Sequence, residues 1–116
     1  MNTRAKGRIA EERAVAFLRK KGYEILLRNE VIAGVETDII ALDGDTVVFV
    51  EVKSAYGAYP CPAENVTKEK QRRYVRAAKS FAASRSLFDR NIRFDVIEVF
   101  DDRMEHIISA FDADAK

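Results

Sequence analysis

Several features that mark particular protein classes are scarce or missing in this 116-residue chain. Its only cysteine is Cys61, which excludes an internal disulfide and is typical of proteins in a reducing compartment. No apolar run approaches the ~20 residues that a membrane-spanning helix needs. The N-terminal stretch MNTRAKGRIAEER has no apolar core of the kind that a secretion signal requires. We therefore expect a cytoplasmic protein with no membrane partner.

A large excess of one charge is also absent, because 20 basic residues face 19 acidic ones and the net charge is +1. A uniformly basic nucleic-acid-binding protein is thereby excluded, so any positive surface for a polyanion must be local. Hydrophobic residues make up 47% of the chain and charged residues 34%, which is typical of a folded globular protein. The length suits one hydrophobic core, and we predict a single domain over residues 1–116.

Hydrophobic periodicity predicts an α/β sandwich, a mixed β-sheet with helices against it, in the order αβββαβ(β). The predicted helices cover residues 4–21 and 67–84, and the predicted strands cover residues 23–28, 37–42, 46–53 and 92–100. Residues 104–111 fit either a strand or a helix, with a strand favoured. Asp43-Gly44 predicts a hairpin turn, and Thr67 is a suitable helix N-cap. The segment 54–66 holds both prolines and is predicted to be a loop.

Charged residues end the strand that is otherwise most suited to the core. Val47 to Val50 form an unbroken apolar run, yet Glu51 and Lys53 follow on one face of the same strand. Glu36 and Asp38 likewise share a face on the preceding strand, and a hairpin at Asp43-Gly44 would bring Asp38 close to Glu51. Surface ion pairs at a strand end are the plain alternative for such charges.

Polar groups on both helices approach the same edge of the predicted sheet. Glu11 lies beside the apolar stripe of the first helix, and Lys70 and Gln71 lie beside that of the second. The convergence favours metal-assisted phosphodiester cleavage, because Mg²⁺ takes carboxylate oxygens, water and substrate phosphate as ligands. Asp38 and Glu51 can supply the carboxylates, and Lys53 can stabilise developing charge or orient the attacking water.

These residues carry a resemblance to a known family. The segments GVETDIIA and VVFVEVKS resemble the D-x(n)-E-x-K core of the restriction-endonuclease-like, PD-(D/E)XK, nuclease superfamily. More closely, the chain resembles the YraN family of endonucleases, which is related in fold to Holliday junction resolvases. GRIAEERAVAFL is similar to the first helix of that family, VTKEKQRRYVRAA to its second and RFDVI to a later strand.

The resemblance implies a restriction-endonuclease-like sandwich and a magnesium- or manganese-dependent endonuclease that acts on DNA, with branched or structured DNA as one substrate class. Metal ligands would be Asp38, Glu51 and Glu11. The wider catalytic set matched to the family pattern is Asp38, Glu51, Lys53, Glu11, Glu36 and Gln71. The alternative function is a non-catalytic nucleic-acid-binding or scaffolding module on the same fold.

The second helix concentrates positive charge. We predict that a nucleic-acid backbone follows the side chains of Lys68, Lys70, Arg72, Arg73 and Arg76, whereas the alternative for these residues is a solvated helix face. A small domain with one site has little surface to hold a duplex, so we also expect a homodimer. His106 has no evident partner in the sequence and is predicted to be structural. Cys61 lacks a nearby histidine, which argues against a nucleophilic role.

Overall fold

The computed structural model of the protein describes residues 3–55, 66–86 and 89–112. The elements are α1 (Thr3–Lys20), β1 (Glu24–Ile32), β2 (Val35–Asp43), β3 (Thr46–Ser54), α2 (Lys68–Arg85), β4 (Ile92–Val99) and β5 (Met104–Phe111). The predicted order of elements is confirmed, and the ambiguous final segment is a strand. Most of the predicted loop over 54–66, including Cys61, lies outside the described residues.

The five strands form one mixed sheet in the order β1-β2-β3-β4-β5. Neighbouring strands are antiparallel except β3 and β4, which run parallel. A parallel pair needs a crossover connection, and α2 lies within the connection between β3 and β4. The arrangement places β3 at the centre of the sheet, with its end directed to the same edge as the start of β2.

Each face of the sheet is covered by one helix, which explains the unbroken apolar run in β3. On one face, Val48 and Val50 pack with Ala14 and Leu18 of α1. On the other face, the neighbouring side chains of β3 pack with a set from α2 and β4 that includes Tyr74, Phe81 and Phe94. Successive side chains of β3 point alternately into these two cores, so all of its central positions are buried and apolar. Neither described helix has the length and apolar character to cross a membrane.

Local signals account for most element boundaries, with one correction. Gly22 adopts φ +93° after α1, and the side chain of Thr67 accepts a hydrogen bond from Lys70 N at 3.1 Å, as an N-cap does. The sequence pattern predicts a start of β2 at residue 37 and an end of β1 at residue 28, but β2 begins at Val35 and β1 continues to Ile32. They do so because Ala33 and Gly34 form a tight turn with φ of +52° and +77°, a conformation that only the glycine favours and that the sequence pattern does not signal.

His106 is predicted to be structural, and the structure supplies partners that the sequence does not reveal. Its Nε2 lies 2.7 Å from a carboxylate oxygen of Asp95, and its Nδ1 lies 2.8 Å from Lys21 Nζ. Asp95, which is 1% exposed, also accepts two hydrogen bonds from Arg93 at 2.9 and 3.0 Å. Arg93 in turn donates to the Tyr23 hydroxyl at 2.6 Å. This buried polar network joins β4, β5 and the residues that follow α1, so His106 has a structural position with defined partners.

Candidate active site

The candidate site begins where β2 and β3 separate. The last paired residues at this end are Ile39 and Val50, so Asp38 and Glu51 are the first residues beyond the pairing on their respective strands. Beyond that point, a carboxylate oxygen of Asp38 accepts the backbone N–H of Val52 at 2.8 Å. The side chain of Asp38 therefore satisfies a donor that the neighbouring strand no longer reaches, and this bond fixes its position.

The carboxyl groups of Asp38 and Glu51 lie in contact where the two strands diverge. Glu51 is 6% exposed, and Asp38 is largely buried beside it with a hydrogen bond between the two side chains. Burial, followed by that hydrogen bond and the negative charge of Glu51, raises the pKa of Asp38 to about 8. A neutral solution therefore leaves a proton on Asp38, which donates to an ionised Glu51.

Glu51 stays ionised because helix α2 supplies donors to it. Burial alone would raise its pKa, but hydrogen bonds from Asp38, Lys70 and Tyr74 outweigh that effect and hold the pKa below its ordinary value. The Tyr74 hydroxyl donates to Oε1 at 3.0 Å, and the Lys70 ammonium forms an ion pair with Oε2. Lys70 and Tyr74 are four residues apart, so one face of α2 presents both to the end of β3.

Two adjoining clefts meet at Asp38. The α2 cleft has a volume of about 490 Å³ and is lined by residues that include Glu36, Asp38, Glu51, Lys70 and Arg73. The α1 cleft, of about 300 Å³, lies on the other side of β2 and is lined by residues that include Arg4, Arg8, Glu11, Asn29 and Asp38. Glu36 lines both clefts. Glu36 and Asp38 thus form the wall between two openings to the same carboxyl pair.

Glu11 approaches that pair from α1, as the sequence pattern predicts. Its negative charge contributes to the raised pKa of Asp38, and burial raises the pKa of Glu11 itself despite a hydrogen bond with Asn29. Among the described residues, Oε1 of Glu11 is buried without a hydrogen-bond partner. An acceptor atom in that position suits a donor from outside the chain, such as a metal-bound water.

Two of the residues in the predicted catalytic set do not touch the carboxyl pair. The side-chain amide of Gln71 donates to the backbone carbonyl of Val66 at 2.9 Å, within the start of α2. Lys53 shares a strand face with Glu51 but lies roughly 6.6 Å farther along β3, since each residue advances the strand by about 3.3 Å. Within the ranges that the structure covers, the cation paired with Glu51 is Lys70, and Lys53 forms no ion pair with Asp38 or Glu51.

The contacts of Lys70 and Tyr74 with Glu51 are not predicted by the sequence pattern. That pattern brings Lys70 to the same edge of the sheet and assigns it to nucleic-acid binding, but it pairs neither Lys70 nor Tyr74 with Glu51. Their spacing of four residues is a usable signal, because it places a cation and a phenol on one face of a helix. Which strand residue that face would meet depends on the packing of α2 across the sheet, and periodicity within the helix does not contain that information.

The basic residues of α2 divide between this site and solvent. Arg73 pairs with Glu69 at 2.7 Å while lining the α2 cleft, and Arg76 reaches the carbonyl oxygen of Ala33 at 3.5 Å. Lys68 and Arg72 are exposed. The positive surface is therefore continuous with the α2 cleft.

The donor set at this point fits a hard divalent cation. Asp38 and Glu51 offer carboxylate oxygens in contact, and Mg²⁺ is commonly held by one or two carboxylates with water completing its shell. In the described part of the chain, no three acidic, histidine or cysteine side chains form a ready-made metal cluster. A metal bound here would therefore rely on water or substrate oxygens for its remaining ligands.

Comparison with known proteins places the chain in a family. Residues 10–99 match the family described as "Uncharacterised protein family UPF0102". A UPF0102 protein of Caldicellulosiruptor saccharolyticus is 46% identical over 101 residues, covering 86% of each chain. One from Persephonella marina is 38% identical over 94% of this chain and 95% of its own. One from Clostridioides difficile is 40% identical over 96% of this chain and its whole length. With this match, and with its mixed five-stranded sheet between two helices, the chain belongs to the UPF0102 family, in agreement with its resemblance to YraN proteins.

Proposed function

We propose that the chain is a metal-dependent endonuclease that hydrolyses phosphodiester bonds of DNA. The observation that carries the proposal is the contact between the Asp38 and Glu51 carboxyl groups at the junction of two clefts. Buried carboxyl groups that share a proton cost stability, so their presence at an accessible sheet edge favours a functional role. The restriction-endonuclease-like arrangement belongs to the same proposal.

Asp38 and Glu51 would hold Mg²⁺ or Mn²⁺, with Glu11 contributing from the α1 cleft. When bound, the metal supplies Lewis acidity toward the phosphoryl oxygen and lowers the pKa of a coordinated water. The chain orients the ligands: the Val52 N–H fixes Asp38, and the Tyr74 hydroxyl fixes Glu51.

Residues beyond these ligands would act on the substrate. Lys53 would meet the phosphate or the attacking water from farther along β3. Glu36 lines both clefts and can orient water. Gln71, through its bond to the Val66 carbonyl, would stabilise the start of α2. We retain the expectation of a homodimer, in which two such sites would cut two strands.

A non-catalytic DNA-binding or scaffolding module is the second candidate. It is favoured by one observation, the lack of a ready-made cluster of three metal-binding side chains in the described part of the chain. On that proposal, Lys70 and Glu51 form a permanent ion pair, and the exposed cations of α2 perform the function alone.

A cleavage assay separates the two candidates. We expect the purified protein to cut at least one member of a panel of linear, flapped and four-way DNA in Mg²⁺ or Mn²⁺, and to lose that activity in EDTA. Branched substrates are expected to be cut best, by analogy with resolvases. Binding to the panel without cleavage under every metal condition would favour the module instead.

The basic surface of α2 predicts a separate effect on binding. Replacing both Arg72 and Arg73 with Ala should weaken DNA binding and reduce the slope of log K against log salt by about one for each phosphate that is no longer neutralised. Cleavage at saturating DNA should survive. The matched control replaces Arg19 and Lys20, two exposed cations in the last turn of α1, and should leave the salt slope unchanged. Equal slopes in the parent and the Arg72/Arg73 variant would remove this surface from the proposal.

A further inference from the structure

The ion pair between Lys70 and Glu51 joins a fixed anion to a cation with freedom to move. Glu51 has a side chain 7% exposed and is held on Oε1 by the Tyr74 hydroxyl at 3.0 Å. The Lys70 side chain is 46% exposed and extends from the first turn of α2 into the α2 cleft. Lysine carries its ammonium on a flexible stem of carbon atoms, so the ammonium can leave Glu51 without any movement of the helix.

The ammonium and a divalent cation would compete for the same oxygen. A magnesium ion sits about 2.0–2.1 Å from its oxygen ligands, whereas an ammonium pairs at about 2.7–2.9 Å. Both cations cannot approach Oε2 from the open side of the cleft, because they repel each other at these separations. Asp38 and Tyr74 already occupy the other approaches to Glu51. Metal entry at Glu51 therefore requires the ammonium of Lys70 to move.

A DNA phosphate offers the displaced ammonium another partner. The α2 cleft that contains Lys70 is also lined by Thr67 and Arg73, and it opens directly onto Asp38 and Glu51. A phosphate placed in this cleft for cleavage would lie within reach of the lysine stem. Transfer of Lys70 from the carboxylate to the phosphate would free Oε2 and bring a positive charge to the substrate.

We propose that Lys70 is an internal competitor of the metal, and that its transfer to a DNA phosphate couples metal binding to DNA binding. The proposal rests on the proposed function and adds regulation to it: without DNA the ammonium holds Glu51, and with DNA the metal binds more tightly. Because coupling between two ligands is reciprocal, the metal must tighten DNA binding by the same factor.

The first test measures Mn²⁺ binding without DNA by isothermal titration. We expect Lys70→Met to bind Mn²⁺ about tenfold more tightly than the parent, because the competing cation has been removed. Lys79→Met is the matched control, since it removes an exposed cation from the same helix outside the α2 cleft, and its affinity should stay within about twofold of the parent. Lys70→Gln repeats the measurement with a polar side chain, and circular dichroism verifies that each variant is folded.

The second test adds a short DNA duplex with non-hydrolysable phosphorothioate linkages. DNA should tighten Mn²⁺ binding in the parent and in Lys79→Met by about tenfold more than in Lys70→Met, because only the parent and Lys79→Met retain the transferable ammonium. Equal Mn²⁺ affinity in the parent and the Lys70 variants, or an equal effect of DNA on both, would overturn the inference. If the parent nevertheless cleaves DNA in Mg²⁺, the proposed function stands without it. Absence of both Mn²⁺ binding and cleavage in the parent would reject both.

Discussion

Glu51→Gln should abolish Mg²⁺-dependent cleavage, with a rate loss of at least about 1,000-fold, in a protein that still folds and binds DNA. Glutamine has the size of glutamate, and its amide oxygen can still accept the Tyr74 hydroxyl that donates to Oε1 at 3.0 Å. It lacks the negative charge that a divalent cation needs. Removal of that charge near the phosphates should leave DNA affinity unchanged or tighter. The measurements are a binding titration in EDTA and a cleavage time course in Mg²⁺.

The control for this substitution is Glu105→Gln on β5. Glu105 has a side chain 49% exposed and pairs only loosely with Arg103, at 3.6 Å, so the same loss of charge should leave cleavage intact. Lys53→Ala completes the comparison, since it should lose cleavage and weaken binding slightly through the removal of one cation beside the phosphates. If Glu51→Gln cuts as fast as the parent, the nuclease proposal is wrong and the binding module takes its place.

Asp95→Asn should lower the free energy of unfolding by about 3–5 kcal/mol without involving the candidate site. One carboxylate oxygen of Asp95 accepts from Arg93 Nε at 2.9 Å and Ser109 N at 3.0 Å, while the other accepts from Arg93 at 3.0 Å and from His106 at 2.7 Å. An asparagine must turn its NH₂ group toward one of these sets of donors, whichever way its amide is oriented. It also leaves Arg93 without its fully buried counterion. Urea unfolding at pH 7 measures the loss.

The pH dependence of that loss identifies its cause. Burial opposes ionisation of Asp95, but hydrogen bonds from His106, Arg93 and Ser109 outweigh it and hold the pKa below the ordinary 3.8. A carboxylate with a lowered pKa stabilises the fold above its ordinary pKa, and this contribution disappears as pH falls through the lowered value. The difference between parent and Asp95→Asn should therefore be full at pH 7 and shrink below about pH 3.8.

Asp102→Asn is the matched control for the buried carboxylate. Its side chain is 80% exposed and pairs with Arg103 at 3.3 Å in a solvated bend, so its loss should change stability by less than about 0.5 kcal/mol. An Asp95→Asn variant as stable as this control, or one whose deficit is the same at pH 3 and pH 7, would contradict the role of the network.

Sequence reasoning succeeds where the signal is local. The apolar run of β3, the hairpin turn and the N-cap at Thr67 each depend on residues within a few positions of one another. The turn is shifted by one residue from the prediction, because Asp43 pairs with Thr46 and leaves Gly44-Asp45 as the loop. The approach of Asp38 to Glu51 follows from that hairpin, because a two-residue turn fixes the register of the strands beside it.

The contacts that sequence reasoning misses join residues distant in the chain. Lys21 and His106 are 85 positions apart, and Tyr74 reaches Glu51 across 23 positions, so neither pair leaves a periodic trace in the sequence. The pattern places Lys53 at the site because it follows Glu51 on the same face. The rise per residue already separates Lys53 from Glu51 along the strand. The pairing of Lys70 with Glu51, by contrast, depends on how α2 packs on the sheet.

The bond from Val52 N–H to Asp38 has an evolutionary consequence. Selection for folding alone requires an acceptor at position 38, and asparagine would serve, since its carbonyl could accept from Val52 while its NH₂ donates to Glu51 as the protonated acid does. Because the pKa of Asp38 is raised to about 8, the acid loses stability as pH rises from 3.8 toward that value, whereas asparagine would not. Under selection for folding alone we therefore expect asparagine to replace aspartate at position 38, so retention of the acid in a relative would favour a use for its charge.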